Sequence, residues 1–135
     1  VRIAQKNTTS SIFSLLEAKM NYPEETKIPL STLNGMLFVN EVDIVYCESS
    51  GSYTNFHLVD GKKLMVSKPI GEYEKLLSSG NFVRIHDKYI INLKFVNEYI
   101  KGRGGEIKLH NSITLPVSAN RKDHLMSRFE RWIRR

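Results

Sequence analysis

The sequence predicts a mainly β domain in which one short helix interrupts the strands and a second helix closes the chain. Short runs rich in β-branched and aromatic residues recur at close spacing from Lys27 onward, and turn-forming residues separate most of them. After Lys27, apolar residues recur at helical spacing in only two stretches. The 135 residues suffice for one domain that buries a core without disulfide support.

Ten short segments have the length and composition of strands. In chain order they are 28–33, 36–39, 44–48, 53–59, 64–67, 82–85, 89–91, 96–100, 106–109 and 112–115. Asn34-Gly35 closes the first segment. Asp60-Gly61 can supply the positive φ angles of a tight turn, so it predicts a hairpin between the fourth and fifth segments.

Two helices are predicted among these strands. Pro69 suits the first turn of a short helix that ends before Gly80. The second helix begins at about Ala119 and is capped by Ser118. Its apolar stripe, which we expect to pack on the domain, consists of Leu125, Met126, Phe129, Trp132 and Ile133. Its other face is basic and consists of Arg121, Lys122, Arg128, Arg131, Arg134 and Arg135. An amphipathic basic helix can also lie on a membrane, but packing on the domain is the preferred interpretation.

Residues 1–26 precede the strand pattern and are polar and mixed in character. Their apolar residues at helical spacing are Ile12, Phe13, Leu15, Leu16 and Met20, and the pattern ends at Tyr22-Pro23. We interpret residues 1–26 as a short helix followed by a linker, and the helix either packs on the domain or continues a helix from a missing upstream domain. Residues 27–135 are then the folded domain.

Charge is distributed unevenly along the chain. Residues 1–83 contain 8 Lys/Arg and 9 Asp/Glu, whereas residues 84–135 contain 12 and 5, within a total net charge of +6. This asymmetry is typical of a nucleic-acid binder, although a basic solvated surface explains it equally well. Cys47 lies in an apolar run and is expected to be a small core residue. No signal peptide or membrane span is recognised, which predicts a cytoplasmic protein without a membrane partner.

Catalytic and metal-binding patterns are not found in the sequence. None of the four histidines pairs with a cysteine or a second histidine at metal-ligand spacing. His86 and Asp87 are adjacent, so on a strand their side chains would point to opposite faces rather than converge on a substrate. The sequence therefore predicts neither an enzyme nor a bound cofactor or metal ion.

The segment 81–93, NFVRIHDKYIINL, suggests binding to an anion instead. In an extended backbone Arg84, His86 and Lys88 would share one face, and their donors suit phosphate oxygens. Asn92 carries both a donor and an acceptor for the edge of a base. A solvated strand face with Asn92 as a turn residue is an equally good interpretation of these residues alone.

Several ordered motifs resemble the LytTR family, the DNA-binding domain of LytR/AlgR-type bacterial response regulators. They are 82–86 (FVRIH), 89–93 (YIINL), 43–48 (DIVYCE) with 51–53 (GSY), and 113–118 (ITLPVS) followed by basic residues. The resemblance covers about residues 27–126. It implies an elongated LytTR-type domain of about ten strands in small stacked sheets.

The resemblance also implies how such a domain binds DNA. Family members insert side chains from loops, rather than from a recognition helix, into successive major grooves. On this chain the implied base-contacting residues are Tyr53, Asn92, Asn120 and Arg121. The implied backbone-contacting residues are Ser50, Ser52, Lys68, Arg84, His86, Lys88 and Lys122. Ala119-Asn120 stands where the family often has arginines, and Asp87-Lys88 replaces what is commonly a basic residue followed by serine.

The implied partners are double-stranded DNA with paired direct repeats, an upstream receiver domain and a cognate histidine kinase, with a dimer on DNA. Two other classes of function stay open. One is non-specific or single-stranded nucleic-acid binding by stacking on Tyr53, Phe56 and Tyr89. The other is a nuclease that uses His86 as its base.

Overall fold

The computed structural model describes residues 26–77 and 80–134. Within them the strands are β1 (Lys27–Thr32), β2 (Gly35–Asn40), β3 (Ile44–Ser50), β4 (Tyr53–Leu58), β5 (Lys63–Val66), β6 (Phe82–His86), β7 (Tyr89–Asn92), β8 (Val96–Ile100), β9 (Glu106–Leu109) and β10 (Thr114–Pro116). The α-helices are α1 (Ile70–Leu77) and α2 (Lys122–Arg134). Short 3-10 segments occupy Glu41–Asp43, Leu93–Phe95 and Ala119–Arg121. The predicted mainly β architecture is confirmed.

Three small antiparallel sheets organise the strands. The central sheet has five strands in the order β5-β4-β3-β7-β6, and β1-β2 and β10-β9-β8 form a two-stranded and a three-stranded sheet. Each strand pairs with a neighbour in sequence except β3 with β7, which brings residues 44–50 beside residues 89–92. That single non-local pairing positions the first hairpin next to the second.

Two hydrophobic clusters cover the central sheet. One contains Phe56, Tyr73 and Phe82 and reaches β1 and α1. The other contains Val83, Ile107 and Leu125 and reaches β8, β9, β10 and α2. Because β6 contributes Phe82 to one cluster and Val83 to the other, both faces of this strand are covered by protein. Cys47 is fully buried, as predicted, and burial raises the pKa of its thiol well above the usual range.

The predicted hairpin between β4 and β5 is present, but its connection is longer than a two-residue Asp-Gly turn. Residues 59–62 form the loop, with the Gly61 N–H donating to Leu58 O at 2.9 Å. Gly61 has a φ of 89°, whereas Asp60 stays at negative φ. Since a type I′ turn requires positive φ at both central residues, the chain uses a wider loop here.

The C-terminal helix also differs in detail from the prediction. The α-helix begins at Lys122 after a 3-10 turn, and the Ser118 side chain makes no capping hydrogen bond. Leu125 is buried, and Met126, Phe129 and Trp132 pack on the same cluster. Ile133 is 79% exposed, so the packed stripe ends one residue before it.

The last predicted strand is shorter than expected. Ser112 has a φ of 67°, which belongs to a turn, and pairing begins at Thr114. The helix predicted within residues 1–26 lies outside the described residues, as does Arg135. In the described part of the chain, no helix has the length and apolar character needed to cross a membrane.

Candidate nucleic-acid interface

Three chain segments that are distant in sequence meet at one edge of the domain. The Ser49 N–H donates to Lys88 O at 2.8 Å, which joins the end of β3 to the β6–β7 turn. The Ser118 N–H donates to Ile85 O at 2.8 Å, which joins the segment before α2 to β6. We call residues 50–53, 86–88 and 118–122 together the loop edge. Main-chain hydrogen bonds therefore fix the spacing of its three parts.

The first part of the loop edge is a two-residue hairpin turn. Ser50 pairs with Tyr53, and Gly51 between them has a φ of 62°, a value that glycine adopts without strain. Ser50 and Ser52 are exposed, and the Tyr53 side chain is 38% exposed. The turn presents two hydroxyl groups and a phenol on a short, rigid connection.

Lys68 lies beside this hairpin although it follows β5 in sequence. The buried Thr54 donates from Oγ1 to Lys68 O at 2.8 Å, which ties the backbone of Lys68 to the first residue after Tyr53. The residue itself is exposed. Its ammonium group thus belongs to the same end of the central sheet as the turn.

The second part of the loop edge is the β6–β7 turn, whose backbone carbonyl groups accept hydrogen bonds from the Arg84 side chain. The Arg84 guanidinium donates from Nε to His86 O at 3.2 Å, from Nη2 to Asp87 O at 2.6 Å and from Nη1 to Glu74 Oε1 at 2.7 Å. Its side chain is only 14% exposed. All three nitrogens of the guanidinium therefore bind the protein itself, and Arg84 acts on the shape of the turn.

His86 also contributes to this turn. Its Nδ1 accepts from the Lys88 N–H at 3.1 Å, which puts the proton of the neutral ring on Nε2. Asp87 and Lys88 are exposed at the tip. The expected cationic face of Arg84, His86 and Lys88 does not form, because β6 ends at His86 and both of its faces are covered.

Asn92 occupies a position quite unlike the one expected of it. It is 2% exposed, donates from Nδ2 to Ile44 O at 2.9 Å and accepts at Oδ1 from the Lys94 N–H at 3.0 Å. The first bond ties β7 to β3, and the second caps the 3-10 segment Leu93–Phe95. Both functional groups of the amide are used inside the protein, so in this structure Asn92 presents no edge to a base.

The third part of the loop edge combines exposed and paired polar side chains. Asn120 is exposed on the 3-10 segment Ala119–Arg121, and Lys122 is partly exposed. Arg121 Nη2 lies 3.3 Å from Asp87 Oδ1, so this ion pair bridges the second and third parts of the loop edge. Its Nε is buried and has no hydrogen-bond partner among the described residues. Arg121 is therefore held in place but not fully satisfied.

Sequence reasoning missed Asp87 as a member of this site. The signal was present, because Asp87-Lys88 is a polar pair between two apolar strands and such pairs form turns. The assumption that the backbone stays extended from Arg84 through Lys88, which would give these cations one shared face, concealed it. Among the described residues, no group of three or more His, Cys, Asp or Glu side chains converges in a way that could hold a metal ion.

The chemistry of the loop edge suits the surface of a duplex. Cations and hydroxyl groups bind phosphate oxygens, whereas planar amide and guanidinium groups can bind base edges. The loop edge carries both kinds of group, with the amide and guanidinium of its third part close to hydroxyl groups and lysines of all three parts.

The LytTR family model, described as the LytTr DNA-binding domain, matches residues 34–130. The CO-responsive transcriptional regulator RcoM of Rhodospirillum rubrum is 29% identical over 79 residues, which are 58% of this chain and 33% of that protein. The chain thus spans about a third of the length of this curated relative. A solved LytTr DNA-binding domain of a methyl-accepting/DNA response regulator from Bacillus cereus aligns with a TM-score of 0.66 and 18% identity, covering 78% of this chain and 98% of that one.

Proposed function

Since the chain belongs to the LytTR family of DNA-binding domains, we propose that it binds a specific duplex DNA sequence through the loop edge. The observation that carries the proposal is the joining of its three parts by hydrogen bonds from Ser49 to Lys88 and from Ser118 to Ile85. Loops that are already held in position lose little conformational entropy when they enter the major groove of DNA, and this favours affinity. Loops rather than a helix are then the reading elements.

Within the loop edge we assign base contacts to Tyr53, Asn120 and Arg121. Asn120 is exposed and its amide suits adenine, while the fork of Arg121 suits guanine. Tyr53 carries one hydroxyl group on a ring that is partly exposed. These residues sit on two of the three parts, so the sequence preference is spread over more than one contact.

Contacts to the DNA backbone are assigned to the hydroxyl groups and cations around the base-contacting residues. They are Ser50, Ser52, Lys68, Lys88 and Lys122. Each phosphate neutralised releases counterions and adds affinity without sequence information. Arg84, His86 and Asn92 are assigned a supporting role, because their polar atoms hold the β6–β7 turn and its flanks. Their effect on DNA is then indirect.

At the level of the whole protein, we propose that the domain is the output module of a transcription regulator of the response-regulator type. A receiver domain would precede residue 27, a histidine kinase would control it, and two copies would bind paired direct repeats. Linking two DNA-binding domains raises the effective concentration of the second one, so the isolated domain is expected to bind more weakly than the pair.

A titration of anisotropy tests the proposal directly. The purified chain is added to a labelled duplex from the DNA upstream of its own gene and, separately, to a scrambled duplex of the same length, at several salt concentrations. A steep salt dependence with a preference for the native sequence supports specific duplex binding. Equal affinity for both duplexes would reduce the function to non-specific binding.

Single-stranded binding by aromatic stacking finds less support. Phe56 is fully buried and packs edge-on against Tyr73 with the ring centroids 4.9 Å apart, so its faces are not open to a base. Tyr89 is only partly exposed, and its ring packs against those of Tyr46 and His86, with centroids 6.4 Å and 5.6 Å away. An unlabelled single strand should therefore compete poorly with the labelled duplex, and a strong competitor would favour the stacking function instead.

A further inference from the structure

The connection between β8 and β9 is a short basic loop of unusual composition. Residues 101–105 read KGRGG, so two cations alternate with glycines and no acidic residue interrupts them. Lys101 and Arg103 are exposed, and neither forms an ion pair with a carboxylate of the described residues. Two solvated positive charges are thus presented on a loop that no function assigned so far requires.

Although it is rich in glycine, this loop is held to the domain by two hydrogen bonds at its C-terminal end. The Tyr99 hydroxyl donates to Gly104 O at 3.0 Å, and the Val117 N–H donates to Gly105 O at 2.9 Å. Gly105 has a φ of 94°, which lets the chain turn into β9. The backbone of Gly104 and Gly105 is therefore positioned by its neighbours, and with it the end of the loop that enters β9.

One of these neighbours is the segment 117–119, whose last two residues belong to the loop edge. Gly104 is buried against the backbone of residues 117–119, so closely that a Cβ on it would overlap the Val117 carbonyl oxygen and lie 3.0 Å from Ala119 N. Only glycine allows this approach. Because Asn120 and Arg121 follow directly, the basic loop is locked beside the third part of the loop edge.

We propose that Lys101 and Arg103 form a fourth DNA-contacting element, which binds phosphate oxygens next to the site of Asn120 and Arg121. The inference rests on the proposed function, since it extends the same duplex surface by one loop. Phosphate rather than base contact is favoured, because both cations stand on exposed positions without a partner that would orient them toward a base edge. Their exposed charges strengthen binding to any sequence.

Charge-removal variants test this element. We would titrate Lys101→Ala, Arg103→Ala and the double variant against a labelled scrambled duplex and against the duplex from upstream of the gene. The matched control is Lys62→Ala with Lys63→Ala, which removes the same charge from exposed positions at the opposite end of β4 from Tyr53. Circular dichroism checks that each variant is folded.

The expected result is specific to the loop. Each of the two substitutions should weaken both duplexes by the same factor and reduce the salt slope by about 0.9, the value for one lost phosphate contact. The control pair should leave the slope near that of the wild type. Slopes for Lys101→Ala and Arg103→Ala equal to those of the control pair would overturn the inference while leaving specific binding by the wild type intact. Absence of duplex binding by the wild type would overturn the proposed function itself.

A second pair of variants tests the position of the loop with its charges unchanged. Gly104→Ala should push the loop away from residues 117–119 and lower the salt slope in the same way, whereas Gly102→Ala, whose Cβ would meet nothing closer than 3.6 Å, should not. In the background of the double charge variant, Gly104→Ala should change the slope no further. A further drop there would mean that Gly104 acts on the third part of the loop edge and not through Lys101 and Arg103.

Discussion

The Arg121 guanidinium and the Asp87 carboxylate form an ion pair between two separate parts of the loop edge, with 3.3 Å between Nη2 and Oδ1. The Asp87 side chain is 85% exposed and that of Arg121 is 28% exposed. An exposed pair of this kind adds little to stability. The pair matters for the proposed DNA-binding surface, because the Asp87 carboxylate holds the Arg121 guanidinium, to which we assign a base contact.

Asp87→Asn should raise the affinity for every duplex. The substitution removes a negative charge that faces phosphates and releases Arg121 from its partner, so the sequence-independent part of binding gains most. The ratio between native and scrambled duplex should therefore fall. Anisotropy titrations at two salt concentrations measure both effects. Asp60→Asn, in the β4–β5 loop at the other end of the sheet, is the control and should change neither quantity.

Asn92→Ala should destabilise the fold and leave the sequence preference unchanged. The substitution leaves the buried Ile44 carbonyl without the Asn92 donor, at a cost of about 1–3 kcal/mol for a buried group left unpaired, and removes the acceptor of the partly buried Lys94 N–H. Urea unfolding measures the loss, and titrations at a temperature where the variant is folded measure the preference. Asn97→Ala, at an exposed position of β8, is the matched control. A smaller affinity ratio between native and scrambled duplex in folded Asn92→Ala would show that this residue contacts a base after all.

The sequence predicted features that depend on neighbouring residues better than features that depend on residues distant in the chain. The strand from Val96 to Ile100 was predicted with its exact bounds, because alternation and flanking turns are properties of neighbouring residues. The role of Arg84 depends on Glu74, which lies ten residues earlier on α1. The role of Asn92 depends on Ile44, 48 residues away, through the β3–β7 pairing. Such partners are set by tertiary structure, and no local pattern reveals them.

Arg84→Ala should weaken specific binding without lowering the salt slope. The guanidinium holds the carbonyl groups of His86 and Asp87, so its loss frees the β6–β7 turn and costs stability of about 1.5–3 kcal/mol, the range for hydrogen bonds from a charged donor. Glu74→Gln keeps an acceptor for Nη1 and both carbonyl contacts, and should have a smaller effect. A fall in slope of about 0.9 in folded Arg84→Ala would instead identify a direct phosphate contact.

Stability should depend on Cys47 in alkaline solution. Burial raises the pKa of this thiol in the folded chain, whereas in the unfolded chain the thiol ionises near its ordinary pKa of about 8.5. The contribution of the buried neutral thiol to the free energy of unfolding is therefore complete below about pH 8.5. As the pH rises further this contribution is lost, and the free energy of unfolding falls by up to about 1.4 kcal/mol per pH unit. Urea unfolding of the wild type and of Cys47→Ala between pH 7 and pH 10 measures the difference. Parallel losses of unfolding free energy in the two proteins would contradict the assignment.

Lys88→Ala should weaken all duplexes by a common factor. Lys88 is exposed at the tip of the β6–β7 turn, and the Ser49 N–H and His86 Nδ1 bind only its backbone, so the substitution removes the ammonium group and keeps the turn. If that group binds one phosphate, the salt slope falls by about 0.9 and the ratio between native and scrambled duplex is unchanged. Lys63→Ala, an exposed cation at the opposite end of β4 from Tyr53, serves as the comparison for a loss of charge away from the loop edge. Equal slopes for the two variants would exclude a phosphate contact by Lys88, whereas a changed ratio would show that this side chain also takes part in reading the sequence.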